Sequence, residues 1–369
     1  MALDPLKSCH LRLPPIILPY IIIKTTIDTH SCTTFFNLIL AVKNLVSSVY
    51  RLLTPMMANE LTRGIWVWNT STILSSASQI CDLVAGTQHI GVSDIYLYMA
   101  PSFYNQYKAA LQNLISSATS AGMRVWGLDG DRGYLDDSAG PSDFYAGIEN
   151  LIAYNCSVRA NERFFGLQAD IEPQDDATHT SFHNEVADSA LSTRPGSSRW
   201  QATQAQDREM LMRSWLTIHQ SARDMLHAQG LRFGGAMPFW TQCYCDEEVG
   251  VRFPGSTDKH QGVMKYMMPL LDEYVVMSYN TSPSNAASRV AVQAAYASTL
   301  PAASRPRVYG SMEVSTGVGA NVSYGDTAGK NSKAVVMQDM VIMNEALRQH
   351  SAFKGIAFHH WASWQMMPE

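Results

Sequence analysis

The stretch "FFGLQADIEP", Phe164 to Pro173, joins an apolar run to two carboxylates, Asp170 and Glu172, and ends on a proline. In a strand successive side chains point to opposite faces. Gln168, Asp170 and Glu172 therefore share one face, while Ala169 and Ile171 take the other. Like charges this close repel, which is costly unless they share a proton or serve a reaction. Seven further runs of the same kind follow or precede it: "GIWVWN" (64–69), "DIYLYM" (94–99), "RVWGLDGD" (124–131), "LRFGGAMPFW" (231–240), "EYVVMSYNT" (273–281), "RVYGSMEV" (307–314) and "GIAFHHWASW" (355–364). Between them lie segments with apolar residues at i, i+3 and i+4. Examples are "FYNQYKAALQNLISSATSAG" (103–122) and "DREMLMRSWLTIHQSARDMLHAQG" (207–230), the second stopped by Gly230. Eight strand–helix alternations predict an α/β fold, a (β/α)8 TIM barrel over residues 61–369. An open doubly wound sheet is the alternative, but no Gly-rich phosphate loop follows the first strand.

Barrel active sites sit at the C-terminal ends of the strands. Those ends carry Trp66, Trp68 and Asn69 on strand 1, Asp129 and Asp131 on strand 3, Asp170 and Glu172 on strand 4, and Trp240 on strand 5. Strand 6 ends in Tyr279 and Asn280, strand 7 in Glu313, and strand 8 in His359, His360 and Trp361. Carboxylates converging on a mouth lined with aromatic rings suit glycoside cleavage. One acid protonates the leaving oxygen, and a second group stabilises or attacks the oxocarbenium-like centre. Glu172 is the expected acid, and a proton shared with Asp170 raises the pKa of one of the pair, as such an acid requires. Glu313 is an alternative partner, because many retaining barrels pair an acid on strand 4 with a nucleophile on strand 7, at about 5 Å. Those enzymes usually carry Asn before the strand 4 glutamate, where this chain has Ile171.

"GLQADIEP", "VVMSYNT" and the final "HHWASW" together resemble the family 18 glycoside hydrolases, the chitinase-like barrels. A closer likeness is to a group of chitinase-like barrels with Trp-x-Trp-Asn, Leu-Asp-Gly-Asp, Asp-x-Glu-Pro and Pro-Phe-Trp, which stand here as "WVWN", "LDGD", "DIEP" and "PFW". The resemblance implies a glutamate acid at Glu172 and attack by the substrate's own N-acetyl carbonyl, oriented by Asp170 and Tyr279. It also implies site roles for Met277, Asn280 and Trp361. The chain departs from the family pattern at Phe165 and Gln168, where aspartates belong, and at Asn280, where the strand 6 aspartate belongs. Loss of these supports makes a non-catalytic glycan-binding barrel the competing expectation.

Plainer readings exist for most of these residues. Asp170 and Glu172 can cap the barrel by pairing with an arginine such as Arg232. Asp129 and Asp131 can be turn formers. Trp66 and Trp68 can fill the core, and Glu313 can serve a structural hydrogen bond. A net charge of −5 without a basic stripe disfavours a nucleic-acid partner, leaving a glycan as the expected one. No cofactor or metal is expected: strand 1 has no His-x-His, no helix carries His-Glu-x-x-His, and Cys243-x-Cys245 lacks a second half. Residues 1–60 form a separate apolar segment. Its stretch 35–53 is long enough to span a bilayer but carries a polar stripe of Asn37, Asn44, Ser48 and Arg51, which suggests peripheral membrane contact or packing on the domain. A third expectation, with Met57 just before the first strand, is that the segment is not part of the mature protein. With no convincing cleavage site after "LRLPPIILPYIII", a cytoplasmic or membrane-associated protein is expected over a secreted one. The oligomeric state has no sequence signal.

Overall fold

The computed structural model describes residues 61–135, 140–173, 205–242, 250–251 and 261–369. The N-terminal segment 1–60, its stretch 35–53 and the boundary at residue 60 lie outside the described residues. Eight strands, rich in β-branched and aromatic residues, form the frame: β1 (Thr62–Val67), β2 (Asp94–Tyr98), β3 (Arg124–Asp129), β4 (Gly166–Ala169), β5 (Arg232–Pro238), β6 (Glu273–Met277), β7 (Arg307–Glu313) and β8 (Phe353–His359). All eight pair in parallel and close on themselves in the order β1-β8-β7-β6-β5-β4-β3-β2, the expected (β/α)8 barrel. The principal helices after successive strands are α1 (Ala77–His89), α2 (Lys108–Ser120), α3 (Gly140–Cys156), α4 (Ala205–His227), α5 (Val263–Met267), α6 (Pro283–Thr299), α7 (Lys333–Leu347) and α8 (Trp361–Met366). Gly250–Val251 and Gln261–Gly262 form a small antiparallel ribbon between β5 and α5.

Strand alternation divides the core in two. Trp66, Tyr96, Trp126, Leu128, Val275 and Tyr309 fill the inside of the barrel, whereas Ile65, Leu97, Leu167, Phe233 and Val276 belong to the larger cluster packed beneath the helices. At the N-terminal end the interior holds charges. Asp94, which opens β2, accepts from Arg124 Nε at 2.7 Å and Nη2 at 2.6 Å, and from the Trp126 indole at 2.9 Å. Glu273, which opens β6, accepts from Tyr96 and lies 3.4 Å from Arg307. Burial and the neighbouring Asp94 push the Glu273 carboxyl up to about 8, against the pull of Arg307, Tyr96 and Arg124. This paired plug occupies one end of the barrel, so the open chemistry belongs to the other.

Several extended runs are shorter than their sequence patterns suggest. β4 stops at Ala169; its last rung is Asp170 N–H to Asp129 C=O at 2.9 Å, and the chain then leaves the sheet toward Pro173. β6 stops at Met277. β8 stops at His359, and "WASW" opens α8, where Trp361 and Trp364, three apart, both join the outer core. Helical spacing within an aromatic run had the look of a strand. Among the described residues, no helix is long and apolar enough to cross a membrane.

His219 on α4 is fully buried against Trp215 and Phe233, with Nδ1–H donating to the Trp215 carbonyl at 2.8 Å. Burial pulls its pKa down to about 4, against the opposing Trp215 bond. Above an unfolded value near 6.5 both states are neutral and nothing is lost. As pH falls from about 6.5 to 4 only the unfolded chain binds the proton, so stability drops by about 3 kcal/mol in total. Urea unfolding across that window should show a smaller drop in His219→Leu; an unchanged pH slope would refute the assignment.

Candidate active site

At the C-terminal end the inward positions continue past each strand. On β1, Trp66 is 1% exposed and donates its indole N–H to Gln168 Oε1 at 2.6 Å. It is part of the floor and offers no open face for a sugar. Trp68, the next inward position, is half-buried and stacks at a tilt on Tyr98, with ring centres 5.6 Å apart.

After β4 the backbone is anchored on both sides of Glu172. Ile171 is fully buried in the outer core, and Pro173 is buried as well. The side chains of Asp170 and Glu172 are half-buried, and both carboxylates act on the Tyr279 phenol across the mouth. The glycine of "LDGD" has its reason here. A Cβ on Gly130 would stand 2.0 Å from the Asp170 carbonyl oxygen, so only glycine lets the ends of β3 and β4 approach this closely. Arg232 is not available to cap these carboxylates; it pairs with Asp272 at 2.8 Å, at the opposite end of β5.

Tyr279 continues the inward face of β6, and its ring lies 5.8 Å from that of His359. Burial drives its phenol well above the ordinary value, and the fields of Glu313, Asp170 and Glu172 drive it the same way, with a bond to Ser311 opposing. The hydroxyl therefore keeps its proton, and all three carboxylates lie within electrostatic reach of it. Glu313 on β7 is 2% exposed and has both oxygens engaged. Oε1 accepts from Ser315 N–H at 2.8 Å, and Oε2 lies 2.7 Å from His359 Nδ1. Burial pushes its carboxyl up; whenever His359 is protonated, its charge together with the His359 and Ser315 bonds outweighs this and holds the group below the usual carboxylate range.

Four expected site residues face elsewhere. Asp129 has the outward parity of Val125 and Gly127; a Cβ on Gly147 of α3 would sit 2.6 Å from its Oδ2, and its Oδ1 accepts from Tyr134 O–H at 2.9 Å. Trp240 lies in the turn after β5 and belongs to the outer core at 8% exposure. Asn280, also of outward parity, accepts from Ser282 N–H at 2.8 Å in the turn that leads into α6. Trp361 starts α8 and lies against α1, where a Cβ on Gly86 would be 2.4 Å from its ring. Asp131 is half-exposed and accepts from Gly133 N–H at 2.7 Å, as a turn former does. The inward residue on β8 is His359, named at that strand end in the sequence but given no role, whereas the resemblance pointed to Trp361. Counting alternate positions from Ala357 is the signal that finds it.

No family model matches the chain, and no curated protein matches it. Solved structures similar to it include a chitinase from Bacteroides thetaiotaomicron (10% identity, TM-score 0.44, covering 82% of this chain and 90% of that one). A chitinase from Chromobacterium violaceum ATCC 12472 shows 12% identity and a TM-score of 0.43 over 83% of this chain and 98% of that one. The Bacillus cereus spore cortex-lytic enzyme SleL shows 11% identity and a TM-score of 0.37 over 69% and 51%. These likenesses carry no reading of activity; the (β/α)8 fold rests on the chain's own closed ring of parallel strands.

Proposed function

We propose that this protein is a glycoside hydrolase acting on an N-acetylated amino-sugar glycan, with Glu172 as general acid. The observation that carries the reading is that Asp170 and Glu172, both half-buried, lie within electrostatic reach of the Tyr279 phenol. Glu172 donates its proton to the leaving oxygen while the substrate's acetamido oxygen attacks the anomeric carbon. Asp170 and the protonated Tyr279 orient that acetamido group. Trp68 lines one side of the cleft. Glu313, with both oxygens occupied, is a support rather than a nucleophile, which argues against the two-glutamate route.

The substrate-assisted route has a direct test. The purified protein is expected to release products from oligomers of N-acetylglucosamine and to leave the matched glucosamine oligomers intact, because the latter lack the attacking carbonyl. Equal hydrolysis of both would sink it. A second reading, a glycan-binding barrel without turnover, draws on Gln168, whose Oε1 is held by Trp66 where the family's supporting aspartate belongs. Saturable binding of the acetylated oligomers with no product would establish that reading instead.

A further inference from the structure

Three neighbouring strands bring together Trp68, His359 and Glu313, and of these the proposed reaction gives His359 no role. β8 lies between β1 and β7 in the barrel. His359 ends β8, its Cα in register with that of Glu313 on β7, and Trp68 stands just past the end of β1 on the other side. The Trp68 indole donates to His359 Nε2 at 2.9 Å. An indole N–H has no acceptor capacity, so Nε2 must present its lone pair, and the ring's one proton sits on Nδ1. That proton faces Glu313 Oε2, 2.7 Å away. Glu313 Oε1 accepts in turn from Ser315 N–H. The indole–imidazole hydrogen bond and the 2.7 Å contact between imidazole and carboxylate are compatible with one proton arrangement, although the second contact is a close charge contact and not an aligned hydrogen bond. Ring contacts with Trp66 at 5.7 Å and Tyr279 at 5.8 Å hold the imidazole from two further sides.

We propose that His359 is the positioning residue of the cleft: fixed as the neutral Nδ1–H tautomer, it holds the Trp68 indole in place as the stacking platform for one sugar ring and ties that platform to Glu313. This rests on the glycan reading above. Trp68 is half-buried with one side against Tyr98, and because its N–H is taken by His359, any contact it makes with a pyranose is through its ring.

Two replacements separate the two ends of the imidazole. A glutamine amide reaches the place of Nε2 and can accept from Trp68; an asparagine amide reaches only the place of Nδ1. His359→Asn is therefore expected to weaken binding of N-acetylglucosamine oligomers, read by calorimetry, about tenfold, the worth of an oriented aromatic contact. His359→Gln should recover affinity to within about threefold of wild type on the same grounds. A structural role alone does not rank the two in this order. In wild type, ring 15N shifts of His359 at neutral pH should report the Nδ1–H tautomer, a readout that needs neither variant to fold. Equal losses in both variants, or an Nε2–H or doubly protonated ring, would overturn the proposal. If the wild type binds none of these oligomers, the glycan reading fails and the platform with it, while the tautomer measurement still decides the Trp68–His359–Glu313 arrangement.

Discussion

Glu172→Gln is expected to reduce turnover of N-acetylglucosamine oligomers by about 10²–10⁴-fold with little change in substrate affinity, the range that loss of a general acid produces. Glutamine keeps the size and most of the hydrogen bonding of the side chain but has no proton to give to a leaving oxygen. Among the described residues, no other carboxyl is placed to substitute. Glu313 has one oxygen on the Ser315 N–H and the other at His359, and it is held as a carboxylate. Asp170 has its backbone fastened to Asp129 by the last rung of the sheet, which fixes where its side chain begins. The variant should also fold as well as wild type. Glu172 is half-buried, and the anchors on either side, Ile171 and Pro173, are untouched. Product release followed by chromatography, alongside far-UV circular dichroism of both proteins, checks the point. Wild-type rates in the variant would remove Glu172 from the reaction.

The barrel was legible because its strands are short β-rich runs separated by helical periodicity, and closure follows from eight of them in alternation. The site was legible only as far as parity was followed. Counting alternate residues from β4 puts Gln168 on the inner face, and the Trp66–Gln168 bond inside the barrel agrees; the expectation for Asp170 and Glu172 carries the same count past Ala169. The same count on β3, with Trp126 and Leu128 inside, puts Asp129 outside. Chemical type alone had brought it into the mouth. Trp240 and Trp361 were misplaced for another reason: Trp240 lies in a helical turn and Trp361 opens α8, and in helical backbone a period of two does not apply. Asn280 is consumed by its own turn, a local bond that an isolated asparagine does not announce. His359 was named at the end of strand 8 but given no role, because its partners are far away in sequence: Trp68 is 291 residues away, and only the closure of the barrel brings them together.

Asp129→Asn should stabilise the protein, with a gain that grows as pH rises. Asp129 is 8% exposed, beneath α3, and burial pushes its carboxyl up to about 7; the field of Asp131 adds to this, while bonds from Tyr134 and Gly130 oppose it. An unfolded aspartate ionises near 3.8, the value from which this shift is reckoned. Below that pH both states are protonated and the carboxyl costs nothing. Between about 3.8 and 7 the unfolded chain loses its proton while the native state keeps it, so stability falls with rising pH by about 4 kcal/mol in all and levels off above 7. Asparagine never ionises, and its amide oxygen still accepts from the Tyr134 hydroxyl. The variant should therefore match wild type near pH 4 and exceed it by up to about 4 kcal/mol near pH 8, less whatever the buried amide itself costs. Urea midpoints at a series of pH values measure the difference directly, and a gap that stays flat from pH 4 to 8 would refute a buried carboxyl here. The same variant tests where the cleft ends. If Asp129 belongs to the layer beneath α3, its replacement leaves glycan turnover intact; a loss comparable to that of Glu172→Gln would return it to the mouth.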